Sequence, residues 1–179
     1  NARTCLKPIE QLASEFISSL ERILEKDRER QFWKACETLL RNSGLSEFDD
    51  YRGSQEEMLK AAKEIFLGLS TGHKIVLLMA SGLIANIERN SLVLVDEPET
   101  HLHPPLLAAL MHVLRSILRR HSAFAIVATH SPVVLQESLA RHVLVIRREG
   151  EITTLSPVST ETFGESIGLI TSEVFKLQA

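Results

Sequence analysis

Asp96 and Glu97 stand side by side after the apolar run Leu92-Val93-Leu94-Val95 and before Pro98, Glu99, Thr100, His101 and Leu102. The run reads as a buried strand, and two carboxylates at the end of a buried strand are costly unless something there uses them. A magnesium ion and an attacking water would use both. Asp96 would hold the metal, directly or through water, and Glu97 would polarise the water for attack on a phosphate. A strand that simply stops in an acidic turn has the same composition, since Asp, Glu and Pro are ordinary strand enders. Ser70 and Gly72 offer a second kind of chemistry, because they precede a long apolar helix. Free N–H groups and a partial positive charge at a helix N-terminus suit phosphate oxygens. Ser70 or Thr71 could equally be a plain helix cap. His101 and His103 form a His-x-His pair close to Glu97 and Glu99, which could bind a metal, but no third and fourth ligand has the tight spacing of a dedicated zinc site.

The elements that must position these residues can be read from periodicity. Residues 8–42 look helical, with Leu12, Phe16, Leu20 and Ile23 at three- and four-residue spacing and a break near Lys26-Asp27-Arg28. A second helix carries Phe32, Trp33, Cys36, Leu39 and Leu40, and Asn42-Ser43-Gly44 is a stop. A polar loop with Asp49, Asp50 and Gly53 follows. Ser54 and Glu57 make a capping box for a helix running to about Phe66. Helix 73–89 is apolar on most faces and should be sandwiched. Strand 92–96 comes next, then a helix opened by Pro104-Pro105 and closed by Arg119-Arg120. The apolar run Phe124-Ala125-Ile126-Val127-Ala128 is a second buried strand, ending in Thr129-His130-Ser131-Pro132. A short helix near 132–139 and a strand over 142–147 follow. Strand, helix, strand, helix, strand at these spacings predicts a parallel sheet with crossover helices. Glu149-Gly150 reads as a hairpin turn at the sheet edge, leading into 151–155. The tail 160–179 reads as helical.

The chain has 179 residues, 44% of them hydrophobic, which is enough for a globular core. With 20 basic and 23 acidic residues the net charge is −3, so bulk charge does not announce nucleic acid. Lys74, Arg89, Arg119-Arg120 and Arg147-Arg148 could touch nucleic acid or be solvated helix and turn ends. Cys5 and Cys36 form neither a metal spacing nor a disulfide framework, so a reducing cytoplasm is the simplest setting. The apolar stretch from Ile75 to Ile87 is broken by Ser81, Gly82 and Asn86 and is too short for a membrane span, so no membrane association is expected. No glycine has the Lys and hydroxyl partners of a phosphate-cradling G-x-x-x-x-G-K-[S/T] loop. The chain is therefore expected to be the C-terminal part of a longer protein.

The order of these segments resembles the second half of an ABC-type ATPase domain. Leu69-Ser70-Thr71-Gly72-His73-Lys74 resembles the family signature, 92–97 its Walker B strand, 99–104 its D-loop and 129–132 its switch histidine. The likeness covers about residues 66–147. Glu99-Thr100-His101-Leu102-His103-Pro104 is similar to the AAA-21, RecF and overcoming-lysogenization-like soluble ATPases more than to transporter motors. Thr71 and His73 depart from the commonest signature, which has glycine and glutamine there.

The resemblance implies an α/β P-loop NTPase fold of ABC type, a parallel sheet with flanking helices and a helical subdomain on the N-terminal side. Residues 1–66 would be that subdomain or arm, 67–159 the signature-bearing half of the ATPase core and 160–179 a tail, with the Walker A lobe lying outside the chain. It implies ATP and Mg2+ as cofactors. Asp96 would serve the metal, Glu97 would be the general base and His130 would contact the γ-phosphate. Ser70, Thr71, Gly72 and His73 would act in trans on ATP bound to a second subunit. Glu99, His101 and His103 would lie at the interface of a homodimer or higher homo-oligomer. DNA and a nuclease of HNH type are the implied partners. The activity would gate a DNA-directed or nuclease effector in bacterial antiviral defence, as in the ATPase subunits of Septu or retron systems. A nucleotide-gated scaffold that binds and regulates a nuclease with little turnover is the alternative.

Overall fold

A computed structural model describes residues 7–40 and 54–175. The sequence-predicted helix stop at 42–44, the polar cluster at 49–53, Cys5 and the end of the tail lie outside those residues. The chain divides into two compact units, residues 1–94 with 113–126 and residues 95–112 with 127–179.

The first unit is mainly helical. Helix α1 (Ile9–Glu25) buries Ala13, Phe16, Leu20 and Ile23 along one face, and α2 (Glu29–Leu39) buries Phe32, Ala35, Cys36 and Leu39. Asp27 takes a left-handed backbone (φ 53°) in the turn between them, a conformation Asp tolerates better than most residues. Helix α3 (Gln55–Gly68) opens with the predicted capping box of Ser54 and Glu57. Helix α4 (Thr71–Asn86) begins two residues earlier than its apolar pattern suggests, because Ser70 caps it by accepting from the His73 amide. As an apolar helix must, α4 packs on two neighbours, α1 and α2. Phe66 stacks on Phe16 (centroids 4.8 Å apart, 14° between planes), and Phe16 tilts against Phe32.

Arg28 stitches this unit together. Its Nη1 donates 2.8 Å hydrogen bonds to the carbonyls of Ile84 and Ile87, which the end of α4 leaves without helical partners. Such charge-assisted bonds contribute about 1.5–3 kcal/mol. Arg28→Ala is expected to lower the stability of the helical unit by about 2 kcal/mol on that basis, read as an earlier midpoint in urea.

Burial pushes the Cys36 thiol far above its ordinary pKa. The nucleophile is the thiolate, so this group is inert while the helices hold. In a Cys5→Ser background, labelling of Cys36 by a thiol reagent should track global unfolding of the unit. Rapid labelling under native conditions would contradict the packing described.

Strands β1 (Leu92–Asp96) and β2 (Phe124–Ala128) form a two-stranded sheet, joined by α5 (Pro104–Arg120). The Phe124 amide donates to the Ser91 carbonyl at one end and the Glu97 amide donates to Ala128 at the other, so the strands run parallel and in register. These strands differ from the sequence expectation in burial. Leu92, Leu94, Phe124 and Ile126 are 60–73% exposed, because strand side chains alternate and only the Val93, Val95, Ala125 and Val127 face is half-buried among the described residues.

The second unit holds short helix α6 (Pro132–Gln136), a 3-10 turn (Ala140–His142), the hairpin β3 (Leu144–Glu149) and β4 (Ile152–Pro157), and helix α7 (Ile167–Glu173). Its core is Leu135, Ile170 and Val174, with Val143, Val145, Val158 and Phe175 packed against them. The third strand was expected in the parallel sheet. The hairpin expected at Glu149-Gly150 does form, with β3 antiparallel to β4 from Leu144 opposite Pro157 to Glu149 opposite Ile152, but the pair makes a separate sheet and is not an edge of the parallel one. A two-residue turn offers β3 a nearby partner at little loop-closure cost. Gly150 (φ 62°) occupies the first turn position, where left-handed backbone is needed. The fold is mixed α/β, with a small parallel sheet and helices. Among the described residues no helix is long and apolar enough to cross a membrane.

Candidate active site

Because β1 and β2 are parallel and in register, their C-terminal ends finish side by side. That edge is where open α/β sheets bind ligands. It brings the loop 97–102 against Thr129 and His130. Glu97 itself closes the ladder through its amide and then turns the chain with φ 44°, a left-handed value uncommon for a non-glycine residue. Its carboxylate is half exposed, with Oε2 3.1 Å from Nδ1 of His130. Asp96 is exposed and its carboxylate takes part in no hydrogen bond or ion pair among the described residues. The strand expected to be buried ends instead with both carboxylates exposed, so burial is not what sets Asp96 and Glu97 apart.

The buried carboxylate is Glu99. Its side chain is 10% exposed, and Oε1 collects the Thr129 hydroxyl at 2.7 Å and the His130 amide at 2.8 Å. The same oxygen lies 3.1 Å from the Nδ1 of His130, while Oε2 is buried without a partner. Burial works to raise the pKa of this carboxyl. The hydrogen bonds from Thr129, from its own amide and from the His130 amide, with the charge of His130, outweigh that and hold it below the ordinary carboxylate range. Thr129 also accepts from the Ser131 amide, and the Ser131 hydroxyl accepts from Val133 to cap α6.

Of the residues read as functional from the sequence, the structure brings together Glu97, Glu99 and His130. Their ligand atoms lie within 4.8 Å of one another, an arrangement able to share a cation. Neither His101 nor His103 joins them. His101 is exposed with φ 68°, and the Nδ1 of His103 accepts from the Leu106 amide at the start of α5. Glu99, read as an interface residue, spends its carboxylate inside its own chain. Thr129 is the residue that sequence reasoning left without a role. Ser70, Thr71, Gly72 and His73 belong to the first unit. There the Ser70 hydroxyl lies 2.7 Å from Nδ1 of His73, and Lys74 donates to the Leu69 carbonyl. Thr71 and Gly72, in the first turn of α4, have N–H groups with no helical acceptor.

The backbone at Glu97 has a testable cost. A left-handed conformation costs a non-glycine residue about 1–2 kcal/mol, and glycine avoids it at some cost in unfolded-chain entropy. Glu97→Gly is expected to melt no earlier than the parent chain while removing the carboxylate. A clear fall in Tm would mean that the Glu97 side chain stabilises the loop.

Comparison with known proteins bears on this geometry. The chain is 34% identical to Protein ea59 of Escherichia phage lambda over 198 aligned positions, covering 99% of this chain and 38% of that protein. The chain thus spans well under half the length of this relative. Residues 11–136 match the AAA_21 family, described as an AAA domain and linked to AbiEii toxin and type IV toxin–antitoxin systems. That match takes in most of α1 and all of α2 through α6, with both parallel strands and the Glu97–Glu99–His130 cluster, and the chain belongs to the AAA_21 family of AbiEii-like AAA ATPases.

Proposed function

We propose that this chain is the signature-bearing half of an ABC-type ATPase that hydrolyses ATP as a homodimer or higher homo-oligomer. The observation that carries the reading is the shared C-terminal end of β1 and β2, where the exposed Glu97 carboxylate meets His130 at 3.1 Å beside the unpaired Asp96. An exposed carboxylate with no protein partner fits Mg2+, which takes one or two carboxylates and keeps much of its water. When bound, the ion would neutralise charge on phosphate oxygens. Asp96 would hold it, Glu97 would accept the proton of the attacking water, and His130 would contact the transferred phosphoryl group. The first turn of α4, with Ser70, Thr71, Gly72 and His73, closes over ATP held by a second subunit. Its Thr71 and Gly72 amides remain for phosphate even though the Ser70 hydroxyl caps the helix. In this reading His101 and His103 face the second subunit.

On the same reading, residues 1–66 are the helical arm, 67–159 the core half and 160–179 a tail. The cycle of closure and opening gates a DNA-directed or nuclease effector, of the HNH kind, in antiviral defence such as Septu or retron systems. The family's link to toxin–antitoxin systems and the phage-encoded relative support a setting in phage–bacterium conflict. Hydrolysis itself is the test. The full-length protein should release phosphate from ATP only with Mg2+, and Glu97→Gln should stop it. Equal release by both proteins would reject the reading.

A further inference from the structure

The two carboxylates beside His130 are not equivalent. Glu97 is half exposed, and His130 is the one side-chain partner of its carboxylate among the described residues. Glu99 is nine-tenths buried, and a single oxygen receives the Thr129 hydroxyl, the His130 amide and the His130 ring. Burying a carboxylate is costly unless hydrogen bonds offset it, and here, besides its own amide, the donors come from the Thr129–His130 turn. Carboxylate oxygens only accept, so Nδ1 between two of them must carry a proton. The other ring nitrogen, on a side chain 69% exposed, is left for an approaching group.

We propose that Glu99 is a positioning residue: through Oε1 it fixes the turn and ring of His130, with Nδ1 protonated, so that the orientation of the ring does not rest on Glu97 alone. The proposal rests on the ATPase reading above for its consequence in turnover, and on this geometry alone for its effect on the ring. Without Glu99, the turn loses the acceptor for two donors and the imidazole keeps Glu97 as its only anchor.

The experiment uses the full-length protein and two readouts. Partners that orient a functional group typically matter by about 10–100-fold, so Glu99→Leu, which keeps much of the volume and removes the acceptor, should lower kcat for ATP by that factor. KM should stay within about threefold, since substrate contacts are untouched. In a His130→Ala background the same change should cost nothing more. Nitrogen NMR of the His130 ring should report the Nδ1–H form in the parent and a loss of that preference in Glu99→Leu. Thr129→Val, which keeps the shape but removes one donor to Glu99 and the acceptor of the Ser131 amide, should give the same pattern more weakly and serves if Glu99→Leu does not fold.

An unchanged kcat, or an equal fold-loss with and without His130, would overturn the positioning role, as would an unchanged ring spectrum. If the parent itself fails to turn over ATP, the ATPase reading falls. The ring spectrum then still decides whether Glu99 holds His130.

Discussion

Glu97→Gln is expected to reduce steady-state ATP hydrolysis by about 10²–10⁴-fold, the usual contribution of a positioned general base. The substitution is nearly isosteric. Its amide oxygen can still accept from Nδ1 of His130, now 3.1 Å from the carboxylate, so the loop should keep its shape. What disappears is the ability to take a proton from water. Nucleotide binding should survive, and the protein should accumulate as an ATP-bound dimer, visible as a doubled mass by light scattering with ATP and Mg2+. A nucleotide-gated scaffold gives a different result. Its turnover is negligible before and after the change, and its hold on a nuclease partner persists.

The largest expected effect on stability is at Phe66. This side chain is fully buried, stacks on Phe16 and stands in the centre of the helical unit. Phe→Ala in a core costs about 3–5 kcal/mol through lost burial and the cavity left behind. Domains of this kind have only about 5–15 kcal/mol in total. Phe66→Ala should therefore leave the unit close to unfolding at 25 °C, seen as lost helical circular dichroism or a midpoint shifted to low urea. Phe66→Leu, which keeps most of the volume, should lose far less. Equal effects from both would mean that α3 is not anchored through this ring.

Much of the fold was legible from the chain. The two parallel strands span 92–96 and 124–128 as the apolar runs predict, and the break at Lys26-Asp27-Arg28 separates α1 from α2. These features are local, set by periodicity, caps and turn residues. The β3–β4 hairpin was legible from Glu149-Gly150, but its separation from the parallel sheet was not, because a strand's pattern records which face is apolar and not which edge it joins. Nor was the exposure of Leu92, Leu94, Phe124 and Ile126. An unbroken apolar run reads as buried on both faces, whereas burial depends on what lies over each face. At the site, Asp96, Glu97 and His130 stand at the predicted strand ends, and the structure brings Glu97 and His130 together there. The internal use of Glu99 was not legible, because its donors are 30 and 31 residues away and no local pattern announces them.

The left-handed backbone at Glu97 has a consequence for selection. Glycine would sit there with less strain, so pressure for thermal tolerance or expression alone pulls this position away from a carboxylate. Pressure for turnover pulls it back. A library randomised at residue 97 and sorted only for folding should drift toward Glu97→Gly, and one sorted for hydrolysis should recover Glu from the same pool. The position would then act as a gauge of which demand a lineage has met, with loss of Glu97 marking copies in which hydrolysis is no longer maintained.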